Sequence, residues 1–328
     1  MTTAVERVAR TEQGEDRRTA FGLALAIDRR ISIPGLGRTS ASAVAEPPSR
    51  VRLDEGELDR RWAALRTSPQ RAREIRFGPT LLLSVDFAEP AGYLLWALGY
   101  GRILISSDGL ELLCEPDPPN PDWASIVASQ ALPLAATVRG LEVMHASGVV
   151  IDGRAVLIAG PPGAGKSSLA AALLRRGGRL LSDDAVALQL TERTLVAHAG
   201  SVVLQLRPAE DQRLTAEERA ALGHVTSRSE GKHRYVGAEV PDAAPLGSLF
   251  LLERSSEQPS VERLTAVDPF ELIGSTFNLS VRTPARLRRQ LDVVSAIASR
   301  GLAHRLRVQP NVGADQLAAM IEQHLREL

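Results

Sequence analysis

The chain has 328 residues, and its 39 basic side chains balance its 39 acidic ones. This length is enough for a sizeable core and two domains. The balanced charge gives no broad attraction to nucleic acid or to an anionic membrane, so we expect neither as a partner. One cysteine, Cys114, excludes an intrachain disulfide and a multi-cysteine metal site. With no visible signal peptide or membrane span, we expect a cytoplasmic protein.

The N-terminal third predicts a smaller β-rich domain behind a disordered tail. Residues 1–19 are polar and aperiodic, which is typical of a disordered end. Residues 20–118 contain short apolar runs that favour strands, at 21–27, 80–87, 102–106 and 110–114, with a helical stretch at 57–65. The Pro-rich segment 115–122 then predicts a domain boundary, so that the second domain spans 121–328.

The second domain reads as α/β. Residues 123–143 have helical spacing with a break at Pro133, and apolar runs at 149–151 and 155–159 flank Asp152-Gly153, which predicts a hairpin. A helix over 167–176 and a strand over 179–188 follow. Further helices are predicted at 215–223, 283–301 and 314–325, and further strands at 202–206, 249–252 and 304–308.

Residues 160–167 read GPPGAGKS, which fills every fixed position of the phosphate-binding pattern GxxxxGK[ST]. Glycines let backbone N–H groups surround phosphate oxygens, Lys166 reaches the β- and γ-phosphates, and the Ser167 hydroxyl can hold Mg²⁺. The pattern therefore predicts ATP and Mg²⁺ as cofactors, although it does not separate ATP from GTP. The expected nucleotide contacts are Gly160, Pro161, Pro162, Gly163, Ala164, Gly165, Lys166, Ser167 and Ser168.

Asp183 and Asp184 follow Lys166 by 17 and 18 residues, on the predicted strand after the loop's helix. Strands of an α/β sheet that run the same way end at one edge, so both carboxylates are expected to face the γ-phosphate and its metal. Two carboxylates divide into a metal ligand and a base that takes a proton from a hydroxyl. We expect Asp184, with Ser167, at the metal and Asp183 as the base, although these two roles could be exchanged.

A rival pattern is that of mechanical ATPases, whose loops often begin Gly-Pro-Pro-Gly. Those enzymes place Asp-Glu after four apolar residues, and here only 249–252 followed by Glu253 fits in part. We therefore interpret Glu253 as the end of a core strand. Four basic residues downstream are candidate phosphate clamps: Arg207, Arg228, Lys232 and Arg234.

The stretch 144–188, with His145, the hairpin, the loop and the Asp pair in order, resembles HPr kinase/phosphorylase. The resemblance implies a P-loop kinase domain of the HPr kinase C-terminal type, with a fold related to phosphoenolpyruvate carboxykinase. It also implies catalytic roles for His145, Lys166, Asp183 and Asp184. The chain departs from that family at Ser168, where HPr kinases have Glu, and lacks their Gly-rich downstream signature. In this it looks more like divergent HPr-kinase-like proteins, some of which phosphorylate precursor peptides of ribosomal natural products.

These observations predict a kinase that transfers the γ-phosphoryl group to a hydroxyl, most simply a serine of a peptide or protein. A small-molecule kinase of the shikimate-kinase type is the first alternative, since it places acidic residues at a similar distance from the loop. A nucleotide-binding regulator without transfer chemistry is the second. The acceptor and the formation of a homo-oligomer stay open.

Overall fold

A computed structural model describes most of the chain. The described residues are 15–38, 47–65, 67–117, 120–228, 231–237, 241–265, 267–277 and 280–328. Residues 1–14 of the predicted tail lie outside them. Within them, no helix is both long enough and apolar enough to cross a membrane.

The N-terminal part forms a sheet of nine described strands with the order β3-β1-β2-β4-β9-β8-β7-β6-β5. Most neighbours are antiparallel, while β4 runs parallel to both β2 and β9. A short helix, α1 (Glu57–Ala63), connects β4 to β5. The strands are β1 (Glu15–Ala20), β2 (Leu23–Asp28), β3 (Gly37–Arg38), β4 (Ser49–Leu53), β5 (Gln70–Phe77), β6 (Thr80–Ala88), β7 (Gly92–Ala97), β8 (Gly101–Ile105) and β9 (Glu111–Pro116).

The second sheet runs β10-β14-β15-β19-β12-β11-β13, with β21 also beside β19 and β20 beside β21. Its strands are β10 (Glu142–Met144), β11 (Ala146–Ile151), β12 (Arg154–Ala159), β13 (Arg179–Ser182), β14 (Val186–Leu190), β15 (Leu195–His198), β19 (Ala243–Arg254), β20 (Ser260–Arg263) and β21 (Ala303–Val308). A third, small sheet contains β16 (Val203–Leu206), β17 (His224–Arg228) and β18 (His233–Val236).

Helices cover this second sheet. A π-helical turn (Val127–Ala131) leads into α2 (Leu132–Val138), which begins at the predicted break because Pro133 occupies its first turn. The remaining helices are α3 (Lys166–Arg175), α4 (Pro208–Asp211), α5 (Ala216–Leu222), α6 (Pro269–Ile273), α7 (Pro284–Ser299) and α8 (Ala314–Arg326). Thr215 and Glu218 form the predicted capping box of α5, and Gly223 ends that helix.

The topology brings the loop and the acidic pair to one edge of the second sheet. Asp152 (φ 49°) and Gly153 (φ 76°) form the predicted turn of the β11–β12 hairpin. Strand β11 pairs antiparallel with both β12 and β13, so β12 and β13 point the same way. The phosphate-binding loop after β12 and the Asp pair after β13 therefore emerge on the same side, with β11 between them.

Two sequence predictions need correction. Residues 15–19 are not disordered, because β1 pairs along its length with β2. The single strand predicted over 179–188 is two strands: β13 ends at Ser182 and β14 starts at Val186. Between them Asp184 has a φ of 67°, and the N–H of Ala185 donates to the carbonyl of Asp183 over 2.9 Å. This three-residue turn is incompatible with an extended strand.

The two sheets share one apolar core across the Pro-rich segment. Buried residues of the N-terminal sheet, such as Leu25 and Ile105, belong to the same cluster as Val143, Ala187 and Phe277. Backbone bonds join the parts as well: the Phe21 N–H donates to the Ala199 carbonyl over 2.6 Å. The predicted boundary divides the chain, while the apolar packing continues through it.

Candidate active site

The phosphate-binding loop lies between β12 and α3. Gly163 (φ 76°) and Gly165 (φ 102°) have left-handed backbone conformations that favour glycine. They bend the chain sharply into the N-terminus of α3, where free N–H groups and the helix dipole attract phosphate. Gly163, Gly165 and the first residues of α3 line a cavity of about 910 Å³. The sequence pattern thus has the strand, loop and helix context that it requires.

Lys166 is buried and folds back over its own loop. Its Nζ donates to the Gly160 carbonyl over 2.9 Å and lies 3.4 Å from the Pro161 carbonyl. It also lies 3.2 Å from Nε2 of His145. Burial lowers the pKa of Lys166, while both aspartates of the pair act in the opposite direction. The ammonium is therefore held at the cavity wall by neutral acceptors that an incoming phosphate can replace.

His145 connects Lys166 to the acidic turn. Its Nδ1 lies 2.9 Å from the backbone carbonyl of Asp184. A carbonyl can only accept, so Nδ1 carries the proton and Nε2 accepts from Lys166. Burial and the neighbouring Lys166 lower the pKa of His145, which favours this neutral form. The structure thus brings the three predicted residues His145, Lys166 and Asp184 together.

Asp183 lies beneath the loop and is fully engaged by hydrogen bonds. Its Oδ1 accepts from the Ser147 hydroxyl over 2.6 Å and from the Ser167 hydroxyl over 3.0 Å, and its Oδ2 accepts from the Gln205 N–H over 3.2 Å. Burial and the adjacent Asp184 raise the pKa of Asp183 to about 6. Sequence reasoning missed Ser147 and Gln205, since a polar residue within a short strand carries no signal of its own.

Asp184 differs from its neighbour, because it lines the cavity. Within the described part of the chain, its carboxylate accepts no hydrogen bond from a side chain or from the backbone. Ser167 and Asp184, the expected metal contacts, both line the cavity, but they are not bonded to each other. Ser167 meets Asp183 instead, since the turn directs the two adjacent carboxylates to different places.

Ser168 stands where HPr kinases have Glu, and a carboxylate nevertheless lies beside it. The Ser168 hydroxyl donates to Oε1 of Glu210 over 2.7 Å. Glu210 lies in the short helix α4, and it also accepts from the Arg207 N–H over 3.3 Å. Both Ser168 and Glu210 line the cavity. Sequence reasoning missed Glu210, because it lies 42 residues from Ser168 in the chain.

The four candidate phosphate clamps lie in different surroundings. Arg207 and Lys232 line the cavity. Arg234 instead pairs with Asp122 over 3.2 Å, and the side chain of Arg228 lies outside the described part of the structure. Glu253 pairs with Arg305 over 2.9 Å at the end of β19, as expected of a strand end and not of a catalytic acid.

The opposite wall of the cavity comes from elements that the sequence did not connect with the site. Strand β5 contributes Arg71, Arg73 and Glu74, and the π-helical turn contributes Gln130. Phe277 lies close by, with its ring centroid 6.0 Å from that of His145. The N-terminal sheet therefore takes part in forming the cavity.

Comparison with known proteins supports the family suggested by the sequence. Residues 138–206 match the family model described as the HPr Serine kinase C-terminal domain. This segment contains His145, the loop and both aspartates, so the resemblance to HPr kinase is confirmed there, as is the HPr kinase-like α/β fold. The match supports kinase-like, ATP-binding P-loop chemistry.

Among solved structures, the chain is similar to the Hpr(Ser) kinase/phosphatase from Coxiella burnetii. The two are 15% identical, the similarity covers 57% of this chain and 97% of that chain, and the TM-score is 0.31. The comparison with curated proteins found no match.

Proposed function

We propose that the chain is an ATP-dependent kinase that transfers the γ-phosphoryl group to a serine hydroxyl of a peptide or protein. The observation that carries this proposal is the meeting of Lys166, Ser167 and the Asp183–Asp184 turn at one sheet edge. A phosphate-binding loop alone supports nucleotide binding. Two carboxylates in different surroundings add the two further roles that phosphoryl transfer needs.

Ser167 and Asp183 fit a magnesium site. Their oxygens lie 3.0 Å apart below the loop, and Mg²⁺ in such sites takes one or two protein oxygens together with water and substrate phosphates. In agreement with this, the described residues contain no cluster of three or more His, Cys, Asp or Glu side chains suited to a metal. When bound there, Mg²⁺ supplies positive charge to the β- and γ-phosphates.

Asp184 is the proposed base, which exchanges the two roles expected from the sequence. Its carboxylate faces the cavity and is available to accept the proton of the acceptor hydroxyl. His145 is the proposed positioning group, since it holds the Asp184 backbone and Lys166 in a fixed relation. Lys166 exchanges its loop carbonyls for phosphate oxygens, and Arg207 and Lys232 add positive charge at the cavity wall.

A polypeptide acceptor agrees with the construction of the cavity. A volume of about 910 Å³ accommodates a nucleotide together with an acceptor side chain. Strand β5 lies at the end of the N-terminal sheet, where an extended polypeptide could pair with it as an added strand. We therefore propose a peptide acceptor, such as a natural-product precursor peptide, and not HPr. We place the reaction in the cytoplasm, where ATP is supplied.

The test is incubation of the full chain with Mg-ATP and serine-containing peptides encoded near its gene. The expected result is a mass gain of one phosphoryl group, which disappears when the serine of the peptide is replaced by alanine. Nucleotide binding without any turnover would favour the regulator. Transfer to a small hydroxyl compound alone would favour the small-molecule kinase, and efficient transfer to HPr would contradict the proposed acceptor.

A further inference from the structure

Arg73 reaches the cavity from strand β5 without an acidic partner. Its guanidinium donates to Oε1 of Gln130 over 3.4 Å and lies 5.9 Å from the ring centroid of Phe277. Across the described residues it forms no ion pair with a carboxylate, whereas Arg71 pairs with Asp86 over 2.6 Å. Burial lowers the pKa of Arg73, and no neighbouring anion counters this effect. A desolvated cation of this kind is costly unless an anion joins it.

The position of Arg73 indicates which anion this is. Lys166 of the phosphate-binding loop contacts His145. The Phe277 ring centroid lies 6.0 Å from that of His145 and 5.9 Å from the Arg73 guanidinium. The charge of Arg73 is near enough to lower the pKa of His145. Arg73 therefore lies near His145, but it comes from strand β5 and not from the phosphate-binding loop. Since the nucleotide phosphates belong to the loop, the anion left for Arg73 is one on the acceptor.

Strand β5 is an edge strand at this wall. Among the described strands it pairs with β6 alone, and Ala72 lies at a bulge where it has no partner residue on β6. The Ala72 carbonyl accepts from Arg282 over 3.5 Å, so it bonds outside the sheet ladder. Exposed edges bind extended peptides by adding a strand, and bulges recur beside active sites.

The side chains beyond Arg73 extend the same surface. Alternate residues of a strand share a face, which places Ile75 with Arg73, and Phe77 follows beyond a register shift between Ile75 and Arg76. Ile75 is 38% exposed and Phe77 is 80% exposed. An extended peptide along β5 would therefore meet a cation beside the cavity and apolar side chains farther out.

We propose that the edge of β5, with Arg73, is the acceptor subsite, and that it takes an extended peptide with an acidic residue close to the phosphorylated serine. This inference rests on the proposed function and specifies its acceptor. The acidic side chain pairs with Arg73, while the peptide backbone follows the free edge and the serine hydroxyl enters the cavity toward Asp184.

The test uses labelled serine peptides with one Glu at each of the three positions on either side of the serine, and matched peptides with Gln or Lys there. Binding to the full chain is measured by fluorescence anisotropy with Mg²⁺ and a non-hydrolysable ATP analogue, and KM for the peptide is measured with ATP. The parent is expected to bind the best Glu peptide about tenfold tighter than its Gln counterpart, the ratio expected for one partly buried charge pair.

Arg73→Gln should abolish this preference, and Arg73→Glu should reverse it toward the Lys peptide. Nucleotide affinity should stay within about twofold of the parent, the scatter expected for a group outside the nucleotide contacts. Arg102→Gln is the matched control, because Arg102 lies on β8 of the same sheet, pairs with Asp59 over 2.9 Å and does not line the cavity. Arg73→Met, which removes the charge and keeps a long unbranched side chain, replaces either variant if thermal melting shows that the variant does not fold.

The outcomes separate the two proposals. Glu-dependent binding that requires Arg73, with no phosphoryl transfer, would refute the kinase and keep the subsite. The subsite is overturned if no peptide of the set binds the parent, if the Glu preference persists in Arg73→Gln, or if that variant loses nucleotide affinity instead. Transfer with a parent-like peptide KM in Arg73→Gln would also overturn it while leaving the kinase intact.

Discussion

The two walls of the cavity are built in different ways. The loop wall comes from one stretch of chain, in which Ser167 and Asp183 are 16 residues apart and meet through a 3.0 Å hydrogen bond. The opposite wall joins distant segments: Arg282 reaches Ala72 across 210 residues. Nucleotide chemistry is thus encoded locally, while the acceptor side depends on how the N-terminal sheet packs.

The two walls also differ in how their polar groups are satisfied. Asp183 accepts from three donors, and Lys166 has loop carbonyls and His145 as partners, so the nucleotide wall is formed in advance. On the other wall, Arg73 has an amide oxygen and a ring but no carboxylate among the described residues. On the loop wall, Lys166 can exchange its present partners for phosphate oxygens. On the opposite wall, the positive charge of Arg73 is available to pair with an acidic ligand.

Removing the N-terminal sheet, and with it most of the opposite wall, is the change with the largest expected effect. A chain of residues 121–328 would expose Val143, Ala187 and Phe277, which now pack against that sheet. We expect it to lose cooperative unfolding in thermal melts and to bind a hydrophobic dye, because burial of such apolar surface stabilises the fold. A soluble, cooperatively folded fragment would instead show that the two parts are independent domains.

Lys166→Ala attacks the nucleotide wall directly. The β- and γ-phosphates lose their fixed counter-charge, so we expect transfer to fall at least about a hundredfold, with weaker triphosphate binding. Turnover is measured by release of labelled phosphate to the peptide, and nucleotide affinity by calorimetry. Lys232→Ala, which removes the chain's other lysine, is the matched control and should cost about tenfold or less. Parent-like transfer by Lys166→Ala would make the loop assignment wrong.

The same substitution at two neighbours separates the roles of the acidic pair. Asp184→Asn should lower kcat by at least about a hundredfold at unchanged Mg²⁺ dependence, the usual scale for a lost general base. Asp183→Asn should instead raise the Mg²⁺ concentration required for half-maximal turnover, because Asp183 lies against Ser167. A metal titration at saturating ATP measures both effects.

The opposite pattern would restore the division expected from the sequence, with Asp183 as the base and Asp184 at the metal. Parent-like turnover in both variants would remove the catalytic interpretation of the pair and favour a regulator.

The sequence could predict features formed within one stretch of chain, as in the loop wall, but not contacts between distant segments, as in the opposite wall. The hairpin, the loop and the capping box of α5 are local patterns, and the structure has all of them. His145 lies 39 residues from Asp184, and the family resemblance, not a local pattern, pointed to it. The turn that separates Asp183 from Asp184 was missed, because the run 179–188 is apolar enough to resemble one strand. Spacing gives the distance between residues along the chain but not the direction in which a turn points each side chain.

The contribution of β5 could not be predicted for a different reason. Its sequence, QRAREIRF, has no apolar alternation, because an edge strand with mostly exposed side chains has little to bury. Glu210 beside Ser168 is a similar case, since contacts between distant segments leave no local pattern. The wall formed by β5, the π-helical turn and Phe277, here called the acceptor wall, is therefore recognisable only after the fold is known.

A buried ion pair behind the acceptor wall provides the smallest expected effect. Glu142 accepts from Arg286 over 2.8 Å, and both side chains are buried. Gln290 extends this network to Thr276, which lines the cavity, over 2.8 Å. Burial raises the pKa of Glu142 from its usual 4.5 to about 7, although the neighbouring arginines act against this. The acceptor wall is thus braced by a carboxyl group that titrates near neutral pH.

The direction in which stability changes with pH follows from whether the folded or the unfolded chain holds the Glu142 proton more tightly. Between pH 4.5 and 7 the folded chain holds the Glu142 proton more tightly than the unfolded chain does, so the stabilisation is complete below about pH 4.5 and is lost as pH rises through 7. For a pKa raised from 4.5 to about 7, the loss is on the order of 3 kcal/mol. Glu142→Gln cannot lose this proton, so the free energy of unfolding of the parent minus that of the variant should fall between pH 5 and 8. Urea titrations at four pH values measure it.

Glu262→Gln is the matched control, because Glu262 pairs with Arg307 over 3.1 Å at the surface. The difference between the parent and this control should stay within about 0.5 kcal/mol at every pH, as expected for an exposed pair. A parent-minus-variant difference for Glu142→Gln that is flat or rises with pH would mean that Glu142 is ionised throughout this range. The network behind the acceptor wall would then be a permanent ion pair.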